Sequence, residues 1–155
     1  MPSIGEKVPN FKRPANGGVD ISLSDYAGKY VVLYFYPRDN TPGCTTESIE
    51  FSAAMPILDD LNTVVLGISA DSVKSHDNFV AKKDLKIPLL SDEDASLCTE
   101  FGVWVEKNMY GKKFMGIVRS TFLIDPNGVL IHEWPKVKVK GHVDAVIEHI
   151  QGLSK

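Results

Sequence analysis

The chain contains two cysteines, Cys44 and Cys98, and Cys44 lies in a segment whose composition favours chemistry. Cys44 follows the loop Pro37–Gly43 and precedes a stretch with helical spacing, so it falls in or just before a first helical turn. Unpaired backbone N–H groups and the helix dipole stabilise a thiolate there, and the thiolate is the nucleophilic form of cysteine. A ligand oxygen beside the sulfur could accept bonds from the same groups. The alternative is a small buried residue at a helix start.

The remaining pattern of cysteines and histidines argues against several other kinds of site. There is no Cys-x-x-Cys pair, zinc-ligand pattern or disulfide framework. A cysteine hydrolase needs a histidine as its base, but no pattern connects the histidines to Cys44. These histidines are His76, His132, His142 and His149. A metal site built from the last two lacks a third ligand nearby, so we predict neither a metal nor a cofactor.

Hydrophobic patterning predicts the elements that position Cys44. The run Tyr30–Tyr36 is almost wholly β-branched, leucine or aromatic, as is typical of a central strand covered on both faces, and Thr63–Ile68 is similar. Between these runs, the segment from Cys44 to about Leu61 has helical spacing that Pro56 interrupts. Strand, helix and strand predict a parallel crossover unit.

The rest of the chain is predicted to add three helices and a hairpin. They are a helix from Asp71 or Ser72, a helix over Asp92–Phe101 capped by Ser91 or Asp92 and followed by Gly102, strands Ser120–Ile124 and Val129–Trp134, and a helix over about His142–Gly152. Asn127-Gly128 between the two strands is a strong hairpin signal. The predicted fold class is α/β, a thioredoxin-like mixed sheet flanked by helices, in a single domain over residues 1–155.

Length and charge limit the function classes. The chain has 155 residues, of which 43% are apolar, enough for one globular core without disulfides. A net charge of −3 provides no broad basic field for nucleic acid or an anionic membrane. Alternating lysine and valine in Lys136–Lys140 indicates an exposed edge or loop. With no signal-peptide core and no apolar run of roughly 20 residues, we expect a cytoplasmic protein.

The segment Tyr34–Pro37 followed by Thr41–Thr45 resembles the peroxiredoxins, and specifically their bacterioferritin-comigratory or peroxiredoxin Q branch. The resemblance covers nearly the whole chain. Four further runs contribute to it, namely Leu66–Ser69, Leu89–Asp92, Phe101–Trp104 and Arg119–Asp125. It implies a thiol-dependent peroxidase that reduces hydrogen peroxide and organic hydroperoxides.

The resemblance also implies roles for four residues. Cys44 attacks one peroxide oxygen in line with the O–O bond and becomes a sulfenic acid. The Thr41 hydroxyl bonds to the peroxide and steadies the thiolate, while Pro37 shields the pocket from water. Arg119 bonds the reacting oxygens, which suits a bidentate guanidinium, although a strand-end salt bridge is its alternative role. Glu47 stays outside this catalytic set because a carboxylate disfavours a neighbouring thiolate, and orienting Arg119 is its open alternative.

The chain departs from that branch at the resolving cysteine. Related enzymes carry it five or about 36 positions after the peroxidatic cysteine, where this chain has Ile49 and about Val80. Cys98 remains, but its spacing with Leu97 and Phe101 predicts a buried thiol on an apolar helix face. We therefore predict a one-cysteine peroxidase whose sulfenic acid is reduced by an external thiol: thioredoxin, glutaredoxin or glutathione.

Several questions stay open at the level of sequence. A redox sensor or a holdase using the same cysteine is the alternative function. The apolar side chains of Met109, Tyr110, Phe114 and Met115 could form a wall suited to organic peroxides or could be ordinary packing. The chain is expected to be a monomer or a weak homodimer, and Arg38 is expected to be a solvated loop residue. Without a resolving partner, overoxidation at high peroxide should be easier.

Overall fold

The computed structural model describes residues 2–153, and its elements follow the alternation of strands and helices in the sequence. The strands are β1 (Lys12–Pro14), β2 (Asp20–Ser22), β3 (Tyr30–Phe35), β4 (Thr63–Ser69), β5 (Leu89–Ser91), β6 (Trp104–Met109), β7 (Lys112–Ile117), β8 (Ser120–Ile124) and β9 (Leu130–Trp134). The helices are α1 (Pro42–Ala53), α2 (Met55–Asp60), α3 (Val73–Lys83), α4 (Ser96–Glu100) and α5 (His142–Leu153).

Five strands form one mixed sheet in the order β5-β4-β3-β8-β9. Strand β3 pairs in parallel with β4, and β4 pairs in parallel with β5, while β8 runs antiparallel to both β3 and β9. The predicted crossover from β3 through α1 to β4 is confirmed. Because β3 is central, its apolar residues are buried on both faces of the sheet, as the sequence pattern predicts.

The two faces of the sheet bury separate hydrophobic cores. Successive side chains of a strand point to opposite faces, so Val31, Leu33 and Phe35 contribute to one core while Val32 and Tyr34 contribute to the other. The first core, here called the Cys98 core, also contains Leu97, Cys98 and Phe101. The second, here called the Cys44 core, contains Cys44, Phe51, Phe79 and Val146 from α1, α3 and α5. The two sulfurs therefore lie on opposite sides of the sheet.

Most predicted elements are confirmed, but one boundary is wrong. Helices α1 and α2 meet at Ala54, two residues before Pro56, and the Asn127-Gly128 turn joins β8 to β9. The helix predicted over Asp92–Phe101 begins only at Ser96, because Ala95 adopts a left-handed φ of 58°. The Asp92 carboxylate caps it from the preceding turn by accepting bonds from the backbone N–H groups of Leu97 and Cys98.

Two antiparallel pairs outside the main sheet were not predicted. One joins β1 to β2, and the other is the hairpin β6–β7. Tyr110 and Gly111 form the tip of that hairpin with φ values of 53° and 78°, which suits a tight two-residue turn. Short strand β5 was also not predicted.

The loop after β9 contains the basic run Lys136–Lys140, whose lysines are exposed as expected. The Val137 N–H donates to the Arg119 carbonyl at 2.8 Å, so this loop packs beside the residue that precedes β8. Over residues 2–153, helices fall short of the length and apolar character needed to cross a bilayer. The mixed sheet with helices on both faces matches the predicted thioredoxin-like arrangement.

Candidate active site

Cys44 lies in the first turn of α1, where the loop that leaves β3 turns into the helix. Thr41 is the N-cap residue and Pro42 occupies the first helical position, where its missing N–H costs no helical bond. The Cys44 side chain is 0% exposed. The predicted position of this cysteine at a helix N-terminus is confirmed, and the free N–H groups of the first turn favour a thiolate there.

Arg119 directly precedes β8, and the antiparallel pairing of β8 with β3 brings it to the end of β3. Its Nη2 donates to Cys44 Sγ at 3.2 Å, and its Nη1 donates to Glu47 Oε1 at 2.7 Å. One guanidinium therefore bridges the sulfur and a buried carboxylate. Burial alone lowers the pKa of Arg119, but attraction to Glu47 and Cys44 exceeds that effect and raises it.

Gly43 makes this approach possible. A Cβ at this position would lie 3.2 Å from Arg119 Nη2, closer than side-chain atoms normally pack. Because glycine has no Cβ, the guanidinium can lie close to the backbone of α1 at this position.

Glu47 is more central than the sequence indicated. Its carboxylate is 0% exposed, and its Oε2 has no hydrogen-bond partner in the part of the chain that the structure describes. Burial raises the pKa of Glu47 from its ordinary value near 4.5 to about 7, against the lowering effect of Arg119. Glu47 therefore holds Arg119 beside Cys44, at a cost in desolvation.

Glu47→Gln is expected to remove a pH dependence of stability. Because the pKa is about 7 in the folded chain and near 4.5 when exposed, Glu47 favours folding below about pH 4.5, and this contribution is lost as pH rises through 7. The unfolding free energy of the variant, relative to the parent, should therefore rise by up to about 3 kcal/mol across that window. Urea unfolding at about pH 5 and about pH 8 measures the difference.

Glu50→Gln is the matched control, since it makes the same chemical change on an exposed residue of the same helix. The charge of Glu50 is the smallest of the effects that raise the pKa of Glu47, so the unfolding free energy of this variant should follow that of the parent closely at both pH values. Parallel pH profiles for the parent and the Glu47 variant would show that Glu47 titrates as an ordinary exposed carboxylate.

The other two predicted site residues lie in the loop before Cys44. Thr41 is partly buried, and its hydroxyl donates to the Arg38 carbonyl at 2.9 Å, which leaves the oxygen lone pairs able to accept a bond. Pro37 is exposed and lines an open groove of about 390 Å³. The groove is walled by Arg38, Ala70, Asp71, Trp104, Lys107, Phe114, Met115, Gly116 and Ile117. The roles of Thr41 and Pro37 toward a substrate stay predictions.

The groove bears on whether the apolar residues of the β6–β7 hairpin form a wall beside the pocket. All four side chains are exposed, but Phe114 and Met115 line the groove, whereas Met109 and Tyr110 lie towards the hairpin tip. Arg38 is exposed, as predicted.

Lys107 of β6 was not recognised from the sequence. Its aliphatic chain passes over Gly116 and its Nζ donates to the Ile117 carbonyl at 2.5 Å. Burial and the charge of Arg119 lower the pKa of Lys107, while attraction to Cys44 opposes this. Lys107 thus adds a second cation to the surroundings of Cys44. No sequence signal marked it, since the hairpin that places it was not predicted.

The histidines have partners other than Cys44. His142 shares a 2.8 Å hydrogen bond with the Thr121 hydroxyl, and burial followed by the charge of Arg119 lowers its pKa to about 4. His149 stacks on His132 with ring centroids 4.1 Å apart, so it does not form a pair with His142. The Nδ1 of His76 contacts Asp39. In the described residues, no histidine is arranged as a base for Cys44.

Cys98 has the surroundings of a structural thiol. It is 0% exposed and packs in the Cys98 core with Leu97 and Phe101, as predicted. Burial, together with the Asp92 carboxylate, raises the pKa of its thiol well above the usual range. Cys44, by contrast, is held beside a guanidinium and helix N–H groups that could bind two adjacent oxygens of a small electrophile.

Comparisons with known proteins identify relatives of this chain. The profile of the AhpC/TSA family matches residues 4–133. Peroxiredoxin Bcp of Xanthomonas campestris is 51% identical over 140 residues, covering 90% of this chain and 88% of that protein. Peroxiredoxin Bcp of Bacillus subtilis is 46% identical over 152 residues, covering 98% and 97%.

Two solved structures extend the similarity to the fold. The X. campestris bacterioferritin comigratory protein, studied for its alkyl peroxide reduction activity, has a TM-score of 0.89 at 49% identity, covering 94% of this chain and 92% of that one. A cysteine-to-serine mutant of Xylella fastidiosa PrxQ has a TM-score of 0.95 at 43% identity, covering 100% and 99%.

Proposed function

Because this chain belongs to the AhpC/TSA family as a peroxiredoxin of the Bcp and PrxQ branch, and is thus a thiol-dependent peroxidase, we propose that it uses Cys44 as its single reacting cysteine. The observation that carries the proposal is the hydrogen bond from Arg119 to the Cys44 sulfur, with Cys98 buried on the other side of the sheet. We take residues 1–155 to act as one cytoplasmic domain.

In the oxidative step, the Cys44 thiolate attacks one oxygen of a hydroperoxide. An S–O bond forms, the O–O bond breaks, and the leaving oxygen takes a proton to become water or an alcohol. The sulfur is oxidised to a sulfenic acid and the peroxide is reduced by two electrons. Charge grows on the leaving oxygen as the O–O bond stretches, so the fixed guanidinium of Arg119 stabilises the transition state more than the ground state. The Thr41 oxygen and the α1 N–H groups orient the peroxide.

In the reductive step, an external thiol condenses with the sulfenic acid to give a mixed disulfide and water. A second thiol then releases Cys44 as a thiol and leaves as the external disulfide. Each cycle therefore converts one hydroperoxide and two thiols into one alcohol or water, one disulfide and one water. Thioredoxin, glutaredoxin and glutathione are the candidate reductants, and all belong to a reducing compartment.

The position of Cys98 supports an external reductant. Its thiol belongs to the Cys98 core, whereas Cys44 belongs to the Cys44 core, and β3 lies between them. A disulfide requires Cα atoms within about 7 Å and suitably directed Cβ atoms. Joining the two sulfurs would therefore require α4 and the sheet to separate. The positions of the family's usual resolving cysteines hold Ile49 and Val80 instead.

The groove beside Pro37 supports organic hydroperoxides as substrates together with hydrogen peroxide. Trp104, Phe114, Met115 and Ile117 give it an apolar wall. Burial of an alkyl group against such a wall contributes favourably to binding. The structural relative from X. campestris reduces alkyl peroxides, which fits the same proposal.

Intact-mass analysis after one equivalent of hydrogen peroxide tests the one-cysteine mechanism. The protein is treated without reductant in the presence of a sulfenate trap and then digested to locate the adduct. We expect one adduct on Cys44 and a free thiol at Cys98, because the two sulfurs are separated by the sheet.

A loss of two hydrogens with a Cys44–Cys98 crosslink would instead make Cys98 a resolving residue. No change in mass at either cysteine would count against peroxide reactivity itself. Cys98→Ser provides the control, since its adduct pattern should equal that of the parent.

A further inference from the structure

His76 is a buried titratable residue that the peroxidase chemistry does not use. It lies on α3 and is 0% exposed. Its Nδ1 lies 2.7 Å from Asp39 Oδ2, and its Nε2 lies 2.9 Å from the Leu90 carbonyl. Asp39 belongs to the loop between β3 and α1, five positions before Cys44. The imidazole therefore joins this loop to the strand β5 on the far side of α3.

Both ring nitrogens of His76 face oxygen atoms. The Leu90 carbonyl can only accept, so Nε2 carries a proton and donates to it. The contact between Nδ1 and the Asp39 carboxyl holds a second proton. The two residues together carry no net charge, and the hydrogen bond between them is charge-assisted. Such a bond is a strong type of contact in a buried setting.

Asp39 is fixed by three further bonds. Its Oδ1 accepts from the Tyr36 hydroxyl at 2.6 Å, and its Oδ2 accepts from the Ser75 hydroxyl at 2.8 Å. Its backbone N–H donates to Asp71 Oδ2 at 2.8 Å. The charged and titratable groups around His76 are thus Asp39, Tyr36 and, through the loop backbone, Asp71. All of them tie the loop to β3 and to the start of α3.

The buried position of Cys44 gives this anchoring a consequence. The sulfur is 0% exposed, and the closed loop holds it beside the Arg119 guanidinium, so the closed state is the one that we expect to react with a small peroxide. A reductant thiol must bring its own sulfur, with the atoms attached to it, in line with the Cys44 sulfenic acid. That approach requires the loop before α1 to move away, and the bonds of Asp39 oppose the movement.

We propose that His76 and Asp39 form a latch that holds the peroxidatic loop closed and sets how often the Cys44 sulfenic acid is exposed to an external thiol. His76 is a positioning residue, because it acts through Asp39 and the loop. The latch slows reduction of the sulfenic acid and so lengthens its lifetime in the presence of peroxide. This proposal rests on the external-thiol mechanism proposed above.

His76→Phe keeps an aromatic ring and removes both donors. Loss of a charge-assisted hydrogen bond changes an opening equilibrium by at least about tenfold. With glutathione as the probe, we expect reduction of the sulfenic acid to be about tenfold faster. Oxidation by hydrogen peroxide should stay within about twofold, because the closed loop remains the main state. At fixed peroxide and glutathione, sulfinic acid should accumulate about tenfold more slowly.

Phe79→Leu is the matched control, because Phe79 is buried one turn further along the same helix and packs in the Cys44 core. It lowers packing energy without touching Asp39. Rapid-quench mass analysis gives the oxidation and reduction rates separately. Hydrogen exchange of the amides of residues 38–41 in the reduced protein gives loop opening without any turnover. Faster exchange there in His76→Phe, but not in Phe79→Leu, is expected.

An unchanged rate with glutathione, or an equal rise in Phe79→Leu, would overturn the latch. If His76→Phe does not fold, Ser75→Ala decides, since it removes the single hydroxyl bond from Ser75 to Asp39 and should speed reduction about threefold. An unchanged rate in that variant would also overturn it. If the parent forms no sulfenic acid, the proposed peroxidase mechanism is wrong. Hydrogen exchange of the loop amides in the parent and in His76→Phe then still tests whether His76 holds the loop closed.

Discussion

Replacing Cys44 by serine is expected to abolish peroxide turnover, while the same replacement at Cys98 should leave it within about twofold. A serine hydroxyl stays protonated near neutral pH and cannot replace the thiolate as nucleophile. The fall should reach the uncatalysed background, on the order of 10⁶-fold. Steady-state consumption of hydrogen peroxide with thioredoxin and its reductase measures it.

Cys98→Ser is the control, because it makes the same chemical change at the other cysteine. Its serine hydroxyl can donate to the Asp92 carboxylate beside it, so the change in unfolding free energy should stay within about 1–2 kcal/mol. Turnover that survives in Cys44→Ser would contradict the assignment of the nucleophile. Turnover lost in Cys98→Ser, in a protein that remains folded, would assign Cys98 a direct part in the cycle.

Arg119→Lys is expected to lower kcat/KM for hydrogen peroxide by about 10²- to 10³-fold, the range for removing a fixed donor at developing charge. The guanidinium bridges Cys44 Sγ and Glu47 Oε1 with two different nitrogens, and a single ammonium cannot do both. The loss should be similar for an organic hydroperoxide, because Arg119 acts on the O–O group that both substrates share. Rapid-mixing kinetics of the oxidative step measures it.

Arg38→Lys makes the same chemical change on an exposed residue of the neighbouring loop and should leave the rate within about twofold. Because Arg119→Lys leaves the buried Glu47 without its guanidinium partner, the double variant with Glu47→Gln separates folding from chemistry. A fall of less than tenfold in a folded Arg119→Lys protein would show that the guanidinium acts mainly as a salt-bridge partner.

The central part of the fold could be predicted because the residue types there indicate directly whether a segment is buried or forms a turn. Tyr30–Tyr36 is apolar throughout, which only a strand buried on both faces tolerates. Asn127-Gly128 indicates the hairpin between β8 and β9 through the backbone preference of these two residues alone. The position of Cys44 at a helix start followed from the loop Pro37–Gly43 and the helical spacing after it. These signals are local, so they survive without knowledge of the tertiary structure.

The features that the sequence predicted wrongly, or did not predict, depend on contacts that a local sequence pattern does not show. The α4 start at Ser96 needs the Asp92 side chain to cap it from outside the helix, which a local pattern does not distinguish from Asp92 as the N-cap. Hairpin β6–β7 pairs only with itself, and its mostly exposed residues show no clear alternation. For Glu47 the sequence left open whether it orients Arg119, and a pair that is 72 positions apart in the sequence is established only by the folded chain.

Because the sheet lies between the two sulfurs, the oxidation state of Cys44 depends on molecules outside the chain. Under the proposed one-cysteine mechanism, Cys44 of each chain is oxidised at a rate proportional to peroxide and restored at a rate proportional to the external thiol. Half of the chains are oxidised when these two rates are equal, whatever the amount of protein present. The fraction of oxidised Cys44 then follows the ratio of peroxide to thiol in the surroundings, as an indicator dye follows pH.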